Sequence, residues 1–246
     1  MLIGSNASLV IEPERASFMK HSWDFYRPIG WKNNDAIIDW EIATDQYEEA
    51  LASCQEIFAS QHGTNDLLSM FDYAAFHCNA PYHAKRSFRL MCETMAGKKL
   101  SRDEHESLYV QHVEAGTAIS AQNATTYTCP LYACLLSLAL SLEEDELVGK
   151  RILCFSYGSG CAASMYGIRV NRRPLCPEDL MERLEDRKPK TVEEALPLID
   201  AFEKTHGRFD FVPSESSGAQ LIEVNSYPNL QPHSHHQHGL FAVSYT

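Results

Sequence analysis

The sequence predicts an α/β fold, a mixed sheet with helices on both faces. Three observations carry that expectation. Apolar, β-rich runs at Arg151–Tyr157 and Cys161–Val170 flank Gly158-Ser159-Gly160, the signature of a hairpin closed by a glycine turn. A further apolar run, Leu67–Phe76, is separated from that hairpin by segments of helical length, and strands alternating with helices stack into layers around one sheet. Helical periodicity is explicit in Tyr47, Ala50, Leu51, Cys54, Ile57 and Phe58, which recur every 3.6 residues.

Taken in order, Leu2–Ile11 (LIGSNASLVI) reads as two short strands around a Gly-Ser-Asn turn. Residues 12–43 are irregular and aromatic, with Trp23, Phe25, Tyr26, Trp31 and Trp40, a composition suited to packing against something large. Thr44 is placed to cap the first helix. Leu67–Phe76 reads as a buried strand ending at His77, followed by helices over about 82–96, 101–121 and 131–141. The hairpin at 151–170 comes next, then a charged helical or looped stretch over 171–218, a last strand at Gln220–Val224 and a histidine-rich tail. The domain division expected is 1–43, completing or packing on a partner, and 44–246.

A chain of 246 residues, 44% hydrophobic and 22% charged, is long enough to build a core without disulfides or metals. The net charge of −12 argues against a nucleic-acid groove or an anionic membrane surface, both of which need clustered Lys and Arg. Met1–Ser8 has no basic, apolar leader, and no run approaches the roughly 18 apolar residues of a membrane span. Eight cysteines, at 54, 78, 92, 129, 134, 154, 161 and 176, show no C-x-x-C spacing, as expected of reduced thiols acting as small hydrophobes. A cytoplasmic protein is the expectation.

Several groups of residues carry possible chemistry. His77 stands where an apolar strand must stop, before Cys78-Asn79-Ala80-Pro81; a strand-end imidazole can turn one nitrogen to a cleft, or simply be satisfied locally. Cys78 is its neighbour, but adjacent strand residues face opposite ways, which argues against a Cys–His dyad. Tyr157, Gly158 and Ser159 lie in a turn whose backbone N–H groups can approach a ligand carbonyl, or which only closes a hairpin. The polar loop Gln122–Tyr132, with Asn123 and Thr125, offers amides and hydroxyls to a thioester or caps for the next helix. Lys85, Arg86 and Arg89 form a basic helix face open to a phosphate or to water. The tail histidines 233, 235, 236 and 238 lack an acidic or cysteine companion, so no metal site is expected.

In sequence order these pieces resemble hydroxymethylglutaryl-CoA (HMG-CoA) synthases. Met1–Ala7 resembles the family's I-G-p-N-A strand-turn, and Phe18–Pro28 its H-x-x-D-F-Y-K-P. Asp72–His77 resembles D-Y-x-x-F-H, and Tyr127–Tyr132 resembles Y-T-S-S-L-Y. Gly149–Ser164 resembles G-K-R-I-x-x-F-S-Y-G-S-G-x-A-A-S. The resemblance implies the C-terminal half of a thiolase fold. It implies that His77 orients and polarises an acceptor thioester and that Tyr157, Gly158 and Ser159 line the acyl site. Asn123, Thr125 and Lys85 are expected to contact the substrate.

No cofactor is implied; CoA or phosphopantetheine thioesters are the substrates. The family's nucleophilic cysteine and glutamate base have no counterpart in these residues. Two extra residues follow His77, the lysine expected near 82 or 83 is displaced, and the asparagine before M-Y-T falls at Thr125. The expectation is therefore one subunit of a split synthase. It would be inactive alone and would pair with a separate N-terminal-half subunit, with acyl-CoA or an acyl-carrier protein as its other partner. The alternative is a non-catalytic interaction or regulatory protein of the same family.

Overall fold

β1 (Leu9–Met19) opens the main sheet and pairs antiparallel with a strand far along the chain, not with its own neighbours. In chain order there follow β2 (Phe25–Tyr26), β3 (Ile37–Ile38), α1 (Trp40–His62), β4 (Tyr73–Phe76), α2 (Pro81–Ala96), α3 (Arg102–His112), α4 (Pro130–Ser141) and α5 (Glu144–Leu147). The hairpin β5 (Arg151–Gly158) and β6 (Ala162–Val170) completes the sheet, in the order β1-β6-β5-β4. The computed structural model describes residues 7–26, 37–78, 80–123, 126–174, 179–186, 191–206, 210–213, 220–223 and 241–243.

β4 runs parallel to β5, and β5 antiparallel to β6, so the sheet is mixed as predicted. Ile152, Leu153, Cys154 and Phe155 are all buried. A strand that hides both alternating sets of side chains has cover on both faces, and helices supply it. Phe58, Phe76, Phe88, Met91 and Leu138 are among the large side chains of the core, drawn from α1, β4, α2 and α4. The chain divides into two compact units, Met1–Tyr26 with Glu41–Arg187, and Arg27–Trp40 with Lys188–Thr246. Within the second, β7 (Asp210–Pro213), β8 (Gln220–Glu223) and β9 (Phe241–Val243) form an antiparallel sheet, and α7 (Val192–His206) carries Pro197 inside it. α6 (Leu180–Asp186) belongs to the first.

Several elements differ from the sequence expectation, among them β7 and β9, which fall in stretches read as helical or looped and as tail. Of the two short strands expected over Leu2–Ile11, the second is the start of one long strand, Leu9–Met19, its register shifting between Ile11 and Arg15 around Pro13, a residue that edge strands and bulges tolerate because it offers no N–H. Hydrogen-bonded to β6 of its own chain, β1 leaves only its other edge for a partner; residues 1–6 lie outside the described residues. The run from Leu67 is not one strand. Asp66 accepts the Ser69 N–H at 3.2 Å, and the N–H groups of Met70 and Phe71 return to Leu67 O, so a short 3₁₀ turn precedes a four-residue β4. The helix expected over 101–121 stops at His112: Ser101 and Glu104 form a capping box at its start, and Val113 leaves helical geometry at φ −126°. The first helix begins at Trp40, ahead of Thr44.

One buried ion pair ties the sheet together. Glu12, 8% exposed, accepts Arg151 Nε at 2.8 Å and Nη2 at 2.6 Å, while Arg169 lies at 3.4 Å. These hydrogen bonds hold the Glu12 carboxyl below the usual carboxylate range, Arg151 being the main cause. A Cβ at Gly167 would collide with Glu12, so glycine there makes room for the carboxylate.

Candidate functional site

Parallel pairing of β4 with β5 brings both strands to the same end of the sheet. Phe76 pairs with Phe155, and the His77 N–H continues the ladder to Phe155 O at 2.8 Å. Tyr157 is two residues farther along β5, at the threshold of the Gly158-Ser159-Gly160 turn. His77 and the glycine turn therefore open at one sheet end, where ligands of α/β folds gather.

Tyr47, from α1, joins the two. Its hydroxyl donates to His77 O at 3.1 Å and accepts from Ser87 Oγ at 3.2 Å. Its ring lies 5.4 Å from that of Phe155 and 5.0 Å from that of Tyr157. Burial pushes the Tyr47 phenol well above its ordinary value, so it acts as a neutral hydrogen-bonding group. Burial lowers the His77 imidazole from the usual 6.5. At neutral pH it is an uncharged ring with one N–H donor and one lone pair.

The turn has its own anchor. Asp24 is fully buried, and its Oδ1 accepts the Gly160 N–H at 2.8 Å while Tyr157 donates its hydroxyl to Oδ2 at 3.4 Å. Burial first, then the nearby Asp24 charge, drives the Tyr157 phenol upward. Gly160 adopts φ +83° and Cys161 φ +64°, so the sharp part of the turn lies after Ser159. Gly158 and Ser159 are exposed. A Cβ at Gly158 would touch nothing closer than Ala162 O at 3.9 Å. Folding therefore does not require a glycine at 158, whereas at 160 it does. The Gly160 N–H is committed to Asp24 and is not offered to a ligand oxygen.

The other predicted contacts fall less centrally. Asn123 donates Nδ2 to Ile119 O at 3.2 Å, leaving its amide oxygen to accept. Beside it, Gln122 has a buried amide oxygen with no partner among the described residues. Thr125 lies outside the described residues. The loop does not cap α4 through its N-cap side chain: Cys129 makes no such bond, and Pro130 starts the helix. Lys85 is held by Glu106 at 2.5 Å with its ammonium 4.9 Å over the Tyr109 ring. Arg86 pairs with Glu48 at 2.5 Å and Arg89 with Glu93 at 2.9 Å. The basic face read from the sequence is thus neutralised residue by residue, and a phosphate would have to displace a carboxylate to reach it. In the sequence Asp24 and Tyr47 are only a motif letter and a helix position. Their roles come from long-range contacts that no local pattern encodes.

Among the described residues no cluster of His, Cys, Asp and Glu could hold a metal, and no helix is long and apolar enough to cross a membrane. The tail histidines and Cys176 lie outside the described residues. Of the seven described cysteines only Cys129 is exposed. Burial raises Cys54 to about 11 and Cys92 to about 12, and lifts Cys154 and Cys161 as well.

The sequence profile described as hydroxymethylglutaryl-coenzyme A synthase C terminal matches residues 9–110 and 91–228. A hydroxymethylglutaryl-CoA synthase of Aspergillus fumigatus is 31% identical over 213 residues, 69% of this chain and 45% of that protein. The cytoplasmic hydroxymethylglutaryl-CoA synthase of Gallus gallus is 26% identical, over 92% of this chain and 53% of its own. The chain thus spans about half the length of the curated relatives it matches. Among solved structures, PksG, a HMG-CoA synthase from Bacillus subtilis, superposes with a TM-score of 0.69 at 20% identity, covering 98% of this chain and 60% of that one. The curacin biosynthetic pathway HMG synthase in complex with holo donor-ACP gives 0.62 at 19%, covering 85% and 53%. At such identities these structures show the fold, and it is the thiolase-like one the sequence resemblance implied.

Proposed function

The chain belongs to the hydroxymethylglutaryl-CoA synthase family, matching its C-terminal domain, and on that premise we propose that it is the acceptor-side half of a split condensing enzyme. A separate subunit with a thiolase-like half supplies an acetylated cysteine and a carboxylate base. This chain supplies His77 and the turn at Tyr157–Ser159. The acceptor is a β-ketoacyl thioester, on CoA or on the phosphopantetheine arm of a carrier protein.

The observation that carries this reading is the convergence of His77 and the glycine turn at one sheet end, with Tyr47 touching both. The chemistry follows from what each group can do. The base takes a proton from the acetyl methyl, and the resulting carbanion forms a C–C bond to the acceptor's β-carbonyl carbon. The carbonyl π pair moves onto oxygen as an alkoxide, which takes up one proton, equal to the one the base removed, to become the product's hydroxyl. A neutral imidazole N–H, held by a strand end fixed at both its N–H and its C=O, is a preorganised donor to that oxygen. Exposed Gly158 leaves room for the thioester to approach. No metal or cofactor is needed, since the thioester activates the methyl group. Water then releases the product from the partner's thiol. Asn123, with its amide oxygen open, and Thr125 are placed by this reading along the thioester. Lys85 would serve it only after release from Glu106.

The same pairing of Lys85, Arg86 and Arg89 with carboxylates favours a second reading, a non-catalytic module that has lost its phosphate contacts. Incubation of the purified chain with acetyl-CoA, read by intact mass, separates one premise cleanly. The split-enzyme reading expects no acetyl adduct on any of the eight cysteines. Stable acetylation, at the exposed Cys129 or elsewhere, would overturn it. Gain of condensation on adding a cysteine-bearing half favours the first reading over the second.

A further inference from the structure

Of the aromatic residues read in the sequence as packing against something large, Trp23 stays open, 66% exposed. It is nonetheless held still. The segment that carries it is laced to the glycine turn at both ends: Lys20 N–H donates to Cys161 O at 2.9 Å, and Gly160 N–H donates to Asp24 Oδ1 at 2.8 Å. Lys20 is pinned again through its ammonium, 2.8 Å from the Glu49 carboxylate. Trp23 points outward while Asp24, its neighbour in the chain, is fully buried. Two further rings stand against the indole. His21 lies 5.4 Å from it at 86° and Tyr26 5.9 Å from it at 85°, both near perpendicular, and His21 is itself exposed.

The face of an aromatic ring attracts a cation, and tryptophan does so most strongly. The charges around these rings favour one as well. Asp24 is a buried carboxylate whose partners are an amide N–H and a phenol, with no cation paired to it among the described residues. Lys20, which would otherwise compete for the rings, is taken by Glu49. The chain as a whole carries −12, which raises the concentration of cations at its surface. An ammonium or guanidinium, however, needs acceptors for its N–H groups. Asp24 offers none outward, being buried with both oxygens engaged. A quaternary ammonium has no N–H to satisfy. We propose that His21, Trp23 and Tyr26 form an open aromatic cage for a quaternary ammonium head, with Trp23 as its base and Asp24 supplying negative potential from beneath. A free solute of the choline type and a choline lipid present the same head. The site stands independently of the reaction assigned to His77.

The test titrates the purified chain, at about pH 8 and so above the ordinary imidazole range, with choline and separately with its neutral isostere, in which a tert-butyl group replaces the trimethylammonium. Binding is read by NMR from the ring resonances of His21 and Tyr26 and, in the wild type, from the Trp23 indole N–H. Choline should shift them saturably and the neutral isostere should not. Trp23→Leu keeps an apolar side chain at an exposed position, so Tm should hold while choline binding weakens about 3- to 30-fold, the range of a cation–π contact. Trp23→Phe, which keeps a ring face, should fall between the two. Phosphatidylcholine vesicles form the second arm. Co-sedimentation of the wild type that Trp23→Leu abolishes assigns the head to a lipid, whereas choline binding by a chain that stays in the supernatant assigns it to a free solute. Equal shifts from choline and its isostere, choline binding undiminished in Trp23→Leu, or no saturable shift in the wild type would overturn the cage. No readout uses condensation activity, so failure here is distinct from failure of the split-enzyme reading.

Discussion

Tyr47→Phe removes one oxygen atom and little else. The ring packing against Phe155 and Tyr157 stays, while His77 O loses its donor at 3.1 Å and Ser87 loses an acceptor at 3.2 Å. Ser87 keeps His83 O at 2.8 Å, so the net loss amounts to one hydrogen bond, about 1 kcal/mol. In a domain of this size that lowers Tm by about 2–4 °C. The effect on chemistry should be larger, because His77 then hangs from its N–H alone. Displacement of a reacting group by about 1 Å can cost about 100-fold in rate. Differential scanning calorimetry gives the first number. Condensation with the cysteine-bearing half gives the second, and the His77 imidazole titration followed by NMR shows whether the ring has moved. An unchanged rate and an unchanged His77 titration, despite the expected fall in Tm, would refute the claim that Tyr47 sets the imidazole.

The two glycines of the turn should part company. Gly160→Ala forces a side chain into φ +83° and should cost about 1–2 kcal/mol in thermal unfolding, whereas Gly158→Ala should leave Tm unchanged and weaken acceptor binding, seen as a raised KM. Equal Tm losses for both would contradict the open space at 158. Arg151→Ala leaves the buried Glu12 carboxylate with Arg169 alone, at 3.4 Å; with Arg151 26% exposed the cost is about 2 kcal/mol, below the roughly 3–5 kcal/mol of breaking a fully buried pair, measured by denaturant unfolding. His77, His83 and His105 are all held below the ordinary imidazole value by burial, so the unfolded chain binds protons more readily than the fold does. Their contribution is complete above pH 6.5 and is lost as pH falls below it. Tm should decline between about pH 7 and about pH 5, and a flat profile over that interval would exclude the effect.

The sheet was legible because its strands announce themselves. Arg151–Val170 is a hairpin with glycines at the turn, and the helix ends are written in Pro81, Gly97, Ser101 with Glu104, and Pro130. Leu67–Phe76 misled because an apolar run has no periodicity to tell a strand from a turn, and the Asp66 cap decided the matter locally. His77 stood out by position, at the last residue a strand could hold. Asp24 and Tyr47 did not, since a buried carboxylate on a turn amide and a phenol on a strand-end carbonyl are tertiary facts. The basic face of α2 misled in the opposite sense. Lys85, Arg86 and Arg89 look free in one dimension, and their carboxylate partners Glu106, Glu48 and Glu93 come from α3, α1 and one turn on.

The decisive experiment compares the wild-type chain with His77→Ala in single turnover, each combined with the half that carries the acetylated cysteine and an acetoacetyl thioester. If this chain contributes the acceptor-side donor, His77→Ala should leave acetylation of the partner's thiol intact and slow carbon–carbon bond formation by about 100- to 10,000-fold. Undiminished condensation with alanine at position 77 would contradict the account.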